Sequence, residues 1–345
     1  MNGADLTIGL MYNQPVQKGE RFWESSVDVL HQVEAIEAAL TSLKSRAVRI
    51  PFTGDLNGLL TQLRCDTVDL VFNLCESVNE DPCLIGHPAA VLELLQLPFT
   101  GSSALALMQS TDKLLSKQLF IANNIDTPPF VTYDGGDFFP TAGLRFPVIL
   151  KPRFEDASIG IDQDSICRNI KELNDRAKEL HSRHGFLLAE EYIDGREFNV
   201  SLLGFPEPVI LPIGEIDFSA FPADLLPIVG YRAKWDSGSF EFHHTPRVFS
   251  NNLSVQVLKT LRRLARECFH AFMLRDYGRV DFRVDSRERV YVLEVNANPC
   301  LSPDAGFAAA AAQAMMSYPE LISSIIECVL QRYKKDDLYP ANCER

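Results

Sequence analysis

The stretch GRVDFRVDSRERVYVLEVNANP, residues 278–299, reads as a hairpin with chemistry on one side. Apolar and charged residues alternate with period two, so Val280, Phe282 and Val284 share a face turned to a core, while Arg279, Asp281, Arg283 and Asp285 share the other. After the polar turn Ser286–Arg289, the partner strand puts Glu294 and Asn296 on a common face by the same rule. Two carboxylates and an amide oxygen beside arginines make a hard-oxygen set suited to Mg2+, or to Mn2+, carrying the phosphates of a nucleotide. Alone, such a face is equally a solvated array of alternating charges, and the rest of the chain decides between the two.

The chain has 345 residues, more than one core normally serves, so several packed units are expected. A formal net charge of -13 argues against a broad basic surface for nucleic acid, although one cleft can still bind a small anion. Eight cysteines lack the paired short spacings of a zinc ribbon or a disulfide scaffold, which fits free thiols in the cytoplasm. The opening MNGADLTIGLMYNQP lacks the basic lead and cleavage site of a secretory signal, and no run reaches the about 18 apolar residues of a membrane helix.

Towards the N-terminus, Leu6–Met11 reads as a strand, and Val27, Leu30, Val33, Ile36 and Leu40 recur at helical spacing. Runs at Val48–Ile50 and Val68–Phe72, with a helical stretch at Leu59–Leu63, repeat the pattern and predict an open parallel sheet. Three units are expected: an N-terminal α/β unit over 1–102, a central one over 103–187, and a third over 188–345 of α+β type that carries the hairpin. The middle unit holds a helix at Lys113–Asn123, a strand at Phe146–Lys151 and a polar helix from Ser165 to His184. The segment Ile216–Arg247 reads as irregular; a helix stripe (Val257, Leu261, Leu264, Cys268) follows it. His243 and His244, read as neighbours on an extended segment, would point oppositely and share no metal.

Further residues support a nucleotide. Lys113 opens a helix, and Lys151 ends an apolar strand just before a loop with Ser158 and Gly160, where a lysine and backbone N–H groups can meet phosphate oxygens. The strand ending Glu190-Glu191-Tyr192-Ile193 offers backbone groups to an adenine edge, and Glu197 can accept ribose hydroxyls. Asn73 and Glu76 follow a parallel strand at its carboxyl end, where open α/β sheets present ligand groups, and Glu76 could hold a substrate ammonium.

The blocks LELLQLPFTGSSALALMQSTDKLLSK, FPVILKPRFEDASIGI, LLAEEYIDGREFNVSLLG, YRAKW, GRVDFRVD and YVLEVNANP, in this order, resemble the ATP-grasp superfamily and within it the D-alanine-D-alanine ligase family, over nearly the whole chain. The resemblance implies an ATP-grasp fold with an N-terminal parallel-sheet domain, ATP and Mg2+ as cofactors, and small carboxylate and amine substrates; a homodimer fits the family. It implies that Lys113 and Lys151 meet phosphates, Ser158 and Gly160 cover them, and Glu190, Glu191, Tyr192 and Ile193 line the adenine. Glu197 would hold the ribose, Lys234 would reach the terminal phosphate from a mobile loop, and Asp281, Glu294 and Asn296 would bind the metal. Arg279 would sit beside the reacting carboxylate. The implied reaction is amide formation through an acyl phosphate, releasing ADP and phosphate.

Departures from the family concern the substrates. Ala157 stands where the family has a serine, and Trp235 where it has a tyrosine, so the family's latch to an N-terminal glutamate, near Glu24-Ser25-Ser26 here, is absent or rebuilt. Cys300 replaces a glycine whose N–H helps the tetrahedral intermediate, and is read as a pocket wall of the catalytic centre, because acyl phosphate chemistry needs no thiol nucleophile. Ser302 and its neighbours do not reproduce the acceptor contact, and Arg283 would meet a substrate carboxylate or Asp285. The expectation is therefore a ligase of amino-acid-like substrates, against two alternatives: a genuine D-alanine-D-alanine ligase, and a nucleotide-binding relative without catalysis.

Overall fold

The fold is described from a computed structural model over residues 6–18, 20, 22–141, 143–249 and 252–336, side chains beyond Tyr333 excepted. The first elements follow the sequence pattern: β1 (Thr7–Asn13), α1 (Trp23–Ser42), β2 (Arg46–Phe52), α2 (Leu56–Asp66) and β3 (Leu70–Asn73). Their strands form the expected parallel sheet, in the order β2-β1-β3. The helix α1 buries Val29, Val33, Ile36 and Leu40 at three- and four-residue spacing, but the same stripe buries a glutamine, Gln32. Next come α3 (Gly86–Leu94), α4 (Ala104–Thr111) and α5 (Lys113–Ala122). Asp112 caps α5 by accepting from the N–H groups of Leu114 and Leu115, so the residue after it, Lys113, starts the helix facing the cleft.

The central sheet is β4 (Phe130–Tyr133), β5 (Val148–Pro152), β6 (Ile166–Cys167) and, after α6 (Ile170–His184), β7 (Leu187–Glu191), in the order β4-β7-β5-β6. Its own apolar core includes Val148, Leu150, Leu173, Ala177, Leu180 and Leu187. Two details differ from expectation. The strand β4 was not foreseen, because four residues directly after the Pro128-Pro129 stop give too little period to read. The polar helix starts at Ile170, not Ser165, because Asn169 caps it and a short turn and β6 occupy the residues before.

The large sheet is antiparallel: β8 (Gly195–Leu203), β9 (Val209–Ile210), β10 (Gly214–Ile216), and, beyond the short helices α7 (Tyr231–Trp235) and α8 (Phe240–His243), β11 (Arg247–Val248). Then follow α9 (Val255–Ala271), the hairpin β12 (Tyr277–Asp285) and β13 (Val290–Asn296), and the closing helices α10 (Gly306–Gln313) and α11 (Tyr318–Asp336). The order β11-β10-β8-β12-β13 places the hairpin beside β8, and α9 covers its apolar face with Val257, Leu261, Leu264 and Cys268. The segment read as irregular thus contains two short helices, and His243 and His244 lie at the end of α8 instead of on a strand. Each histidine ring is held by a local carbonyl, those of Ser237 and Phe240. The N-terminal sheet, α1, α10 and α11 share one apolar core, which fixes α1 against the segment after β13.

Candidate functional site

The hairpin contains one extra residue. Arg279 faces Asn296 and Asp281 faces Glu294, but Phe282 pairs with Val292, so Leu293 is a bulge. Without it, Glu294 would fall in phase with Val290 and Val292, which are buried in the core; with it, Val295 and Ala297 are buried and Glu294 and Asn296 turn to the cleft beside Asp281. Arg279 donates to both oxygens of Asp281, at 2.8 and 2.9 Å, and Asn199 on β8 donates to the same carboxylate at 2.7 Å. Asn296 donates to Asp281 at 3.2 Å and to Glu294 at 3.4 Å. A buried and a half-buried carboxylate in register, with an amide bonded to both, fit a hard divalent cation, whose other ligands a nucleotide would supply. Among the described residues no three His, Cys, Asp or Glu side chains gather for a metal, consistent with an amide as the third donor.

Glu294 also marks where the cations converge. Burial pushes its carboxyl up, but Lys113, Lys234, Lys151 and Arg279 together pull it down to about 2. These four groups come from α5, α7, β5 and β12, and chain positions 113 to 294 meet at one point. Lys113 donates to the Glu155 carbonyl and lies 3.8 Å from Asp156. Lys151 pairs with Glu190, whose other oxygen is 2.5 Å from Lys117. Lys117 is a buried lysine that the sequence reading passed over, and burial drives its ammonium down against the pull of Glu190. Glu190 lines the cleft as expected, but its carboxylate is committed to holding these two lysines, so only its backbone is left for an adenine edge.

The remaining residues expected to meet a nucleotide lie along one cleft, about 520 Å³ in volume, which Glu191, Tyr192, Ile193, Glu197 and Ser158 line. Arg145 holds the Glu191 carboxylate at 2.7 Å. Gly160 does not line the cleft; its φ of 76° shapes the loop, and a Cβ there would sit 2.7 Å from Pro152. Arg283 is also placed differently from expectation. Directly opposite Glu197 in the β8–β12 register, it pairs with that carboxylate at 2.7 Å, while Asp285 is taken by Arg289. It therefore braces Glu197, and not Asp285 on its own strand.

Two loops close over the lysines. Trp235 donates its indole N–H to the Ala157 carbonyl at 2.9 Å, Ser158 donates to the Val229 carbonyl at 2.8 Å, and the Tyr231 N–H donates to the Ile161 carbonyl at 2.9 Å. The latch is thus rebuilt from an indole and a backbone oxygen, with Ala157 and Ser158 in left-handed conformation at φ 53° and 62°. Glu24 takes no part: it is exposed, and Ser25 and Ser26 are used locally, by the Phe22 carbonyl and the Val16 N–H. Lys234 is presented by this closed loop, its ammonium pushed down by burial with Glu294 pulling the other way.

At the opposite end stand Glu76, Asp28, Cys300 and Ser302. Cys300 donates its thiol to Asp28 at 3.2 Å, and Ser302 lies 3.5 Å from the same carboxylate. Burial, then Asp28 and Glu76, push the Cys300 thiol far up, so it stays protonated as a wall of the pocket. Burial first and Asp28 second raise Glu76 to about 7, although Gln32 donates to it at 3.2 Å. Asn73 does not line this cleft; its side chain accepts from the Cys75 N–H and shapes the turn that presents Glu76. Asp28 and Gln32, one helical turn apart on α1, were missed; the signal was a glutamine inside an apolar stripe.

The family model described as D-ala D-ala ligase C-terminus matches residues 140–327. A D-alanine--D-alanine ligase of Carboxydothermus hydrogenoformans is 30% identical over 283 residues, 79% of this chain and 85% of that protein. An uncharacterized protein, y4sG, of Sinorhizobium fredii is 34% identical over 285 residues, 80% of this chain and 81% of its own. In structure, a D-alanine--D-alanine ligase from Bacillus anthracis solved with ATP superposes with a TM-score of 0.75 at 21% identity, over 96% of this chain and 99% of that one, which establishes the ATP-grasp fold. Taken with the matched half of the sequence, these likenesses mean that the chain belongs to the D-alanine-D-alanine ligase family.

Proposed function

We propose that the chain is an ATP-dependent ligase that joins a carboxylate to an amine through an acyl phosphate, with amino-acid substrates. The observation that carries this reading is the half-buried carboxylate Glu294 ringed by Lys113, Lys151, Lys234 and Arg279, a cationic pocket built from four separate elements around the face of Asp281, Glu294 and Asn296. A carboxylate is a poor electrophile. Transfer of the terminal phosphoryl group of ATP onto its oxygen breaks the bond to ADP and forms an acyl phosphate; the amine nitrogen then attacks the carbonyl carbon, phosphate leaves, and the nitrogen loses a proton.

Each assigned residue answers a charge problem in this sequence. Lys113 and Lys151 would hold the phosphates, Ser158 and its loop would cover them, and Lys234 would follow the transferred group. Glu197 would hold the ribose, and Glu191, Tyr192 and Ile193 the base. Arg279, anchored by Asp281, would orient the reacting carboxylate. Asp281, Glu294 and Asn296 would hold a divalent ion, Mg2+ in the first place, which supplies neutralisation of phosphate charge when bound. The closed Trp235 loop would keep water from the acyl phosphate. At the other end Glu76 and Asp28, two neighbouring carboxylates that line the cleft, would take the ammonium of the carboxylate-bearing substrate.

The test is hydroxylamine trapping. The purified chain with ATP, Mg2+ and a panel of D- and L-amino acids should release ADP and give hydroxamates from the acids it activates. No hydroxamate and no acid-dependent ADP with any member of the panel would end the reading.

A further inference from the structure

Lys117 on α5 is a cation set back from the cleft. Its side chain is 2% exposed and does not line the cleft, so its charge is out of reach of nucleotide and substrate. Burying an ammonium carries a desolvation cost that an apolar side chain of the same length would not. Two bonds hold it there, one to Glu190 at 2.5 Å and one to the Thr127 hydroxyl at 2.6 Å. They lead in different directions.

The first leads to the phosphate lysine. Glu190 is buried on β7, and its second oxygen takes Lys151 from β5. Two ammonium groups on one carboxylate leave one positive charge over, directed at the cleft through Lys151. If Lys117 were apolar, Glu190 would cancel Lys151 outright, and phosphates would meet a neutral pair.

The second leads to the bulge. A hydroxyl that accepts from an ammonium has its own proton free to give, and Thr127 donates it to the Val292 carbonyl at 2.8 Å. The Val292 N–H in turn donates to the Asp126 carbonyl, also at 2.8 Å. The strand β13 lies at the edge of the large sheet, so the loop segment Asp126-Thr127 clamps its outer side. Val292 directly precedes the bulged Leu293, and Glu294 directly follows it. A bulge interrupts the ladder and lets a strand bend, so a clamp on Val292 limits where Glu294 can stand. The charge of Glu294 is felt by both Lys117 and Lys151, which places the two branches close together.

Building on the ligase reading, we propose that Lys117 is a positioning residue: from one buried point it holds Thr127 against the bulge that turns Glu294 to the cleft, and it shares Glu190 so that Lys151 keeps its charge for the nucleotide. A carboxylate for the metal ion and a cation for the phosphates are thereby kept at a set separation, although they stand on different sheets. Lys117 itself touches neither ligand; it acts through Thr127 and Glu190.

The test is binding to the full chain, with no donor or acceptor present. Calorimetry gives the Kd of ADP with chelator and again with saturating Mn2+, and the ratio of the two is the gain from the metal. Thr127→Val removes the hydroxyl and keeps the branched shape. It should leave the metal-free Kd unchanged and cut the gain by about 10-fold or more, the range for losing a group that orients a metal ligand. Thr127→Ser keeps the hydroxyl and should restore the gain. Lys117→Met should cut the gain by a similar factor and also raise the metal-free Kd, because Glu190 then cancels Lys151. Thermal melts identify a variant that fails to fold; if Lys117→Met does, the Thr127 pair decides. Wild-type binding in Thr127→Val and Lys117→Met, whatever their melting temperatures, would overturn the proposal, since a lysine that only fills the interior predicts it. So would a gain in Thr127→Ser as small as in Thr127→Val, or no gain in wild type. Absence of hydroxamate from wild type, with these Kd values in the expected order, would end the ligase reading alone.

Discussion

The Trp235 latch can be tested quantitatively. Trp235→Phe keeps an aromatic ring in the loop but deletes the 2.9 Å bond to the Ala157 carbonyl. Bonds through Trp235, Ser158 and Tyr231 join the two loops, with a further pair between Gln163 and Leu226 at their base. A neutral hydrogen bond is worth about 0.5 to 1.5 kcal/mol net, so loss of one should shift the closed-to-open ratio by about 2- to 12-fold. Ser158→Ala removes another, at 2.8 Å, and the double variant should lose about 4- to 150-fold if the two contributions add. Because the closed loop shields the acyl phosphate, the opening should appear as uncoupling: ADP released without amide formed. The assay measures ADP by a coupled enzyme and product by mass spectrometry in the same sample. A wild-type ADP-to-product ratio in both single variants, or a change in melting temperature with no change in coupling, would refute the view that these bonds close the site.

Other expectations follow from the same geometry. Lys234→Ala and Glu294→Gln should each lower turnover by about 10² to 10³ with the circular dichroism spectrum unchanged, and full activity in both would contradict the assigned roles. Glu190→Gln leaves Lys117 and Lys151 buried without their shared partner and should cost about 3 to 5 kcal/mol in urea unfolding. Glu76 titrates near 7 in the folded chain, above a free carboxyl, so the folded state binds the extra proton and stability falls as pH rises from about 5 to 7. Glu76→Gln should therefore flatten that part of the profile and gain about 1 to 3 kcal/mol over wild type at pH 8, and parallel profiles would exclude a shifted Glu76. Cys300→Ala should keep turnover within about 10-fold, and iodoacetamide should label exposed Cys65 and Cys83 first; a loss of 10³ or more would mean a nucleophile.

The hairpin, the lysines and the parallel sheet were legible because each is local: alternation over nine residues fixes a face, and a lysine at a strand end is visible in place. What escaped depends on partners far along the chain. Asp28 meets Cys300 across 272 positions, and the glycines that make room for Arg247, Gly214 and Gly306, lie on two other elements. Arg283 was read towards its own strand, while the actual partner, Glu197, is set by register with β8. Lys117 looked like an ordinary polar residue of a helix; its 2% exposed side chain is set by the packing of α5 against β13 and by its partners Glu190 and Thr127.

The bulge at Leu293 makes the site depend on a residue count. Deleting that one leucine would set Glu294 directly after Val292 in a regular ladder, still on the cleft face, whereas keeping the leucine and pairing it would swing Glu294 inward and Val295 outward. The ligand face thus survives as long as the extra residue and the bulge are kept together or lost together, and fails when one is present without the other.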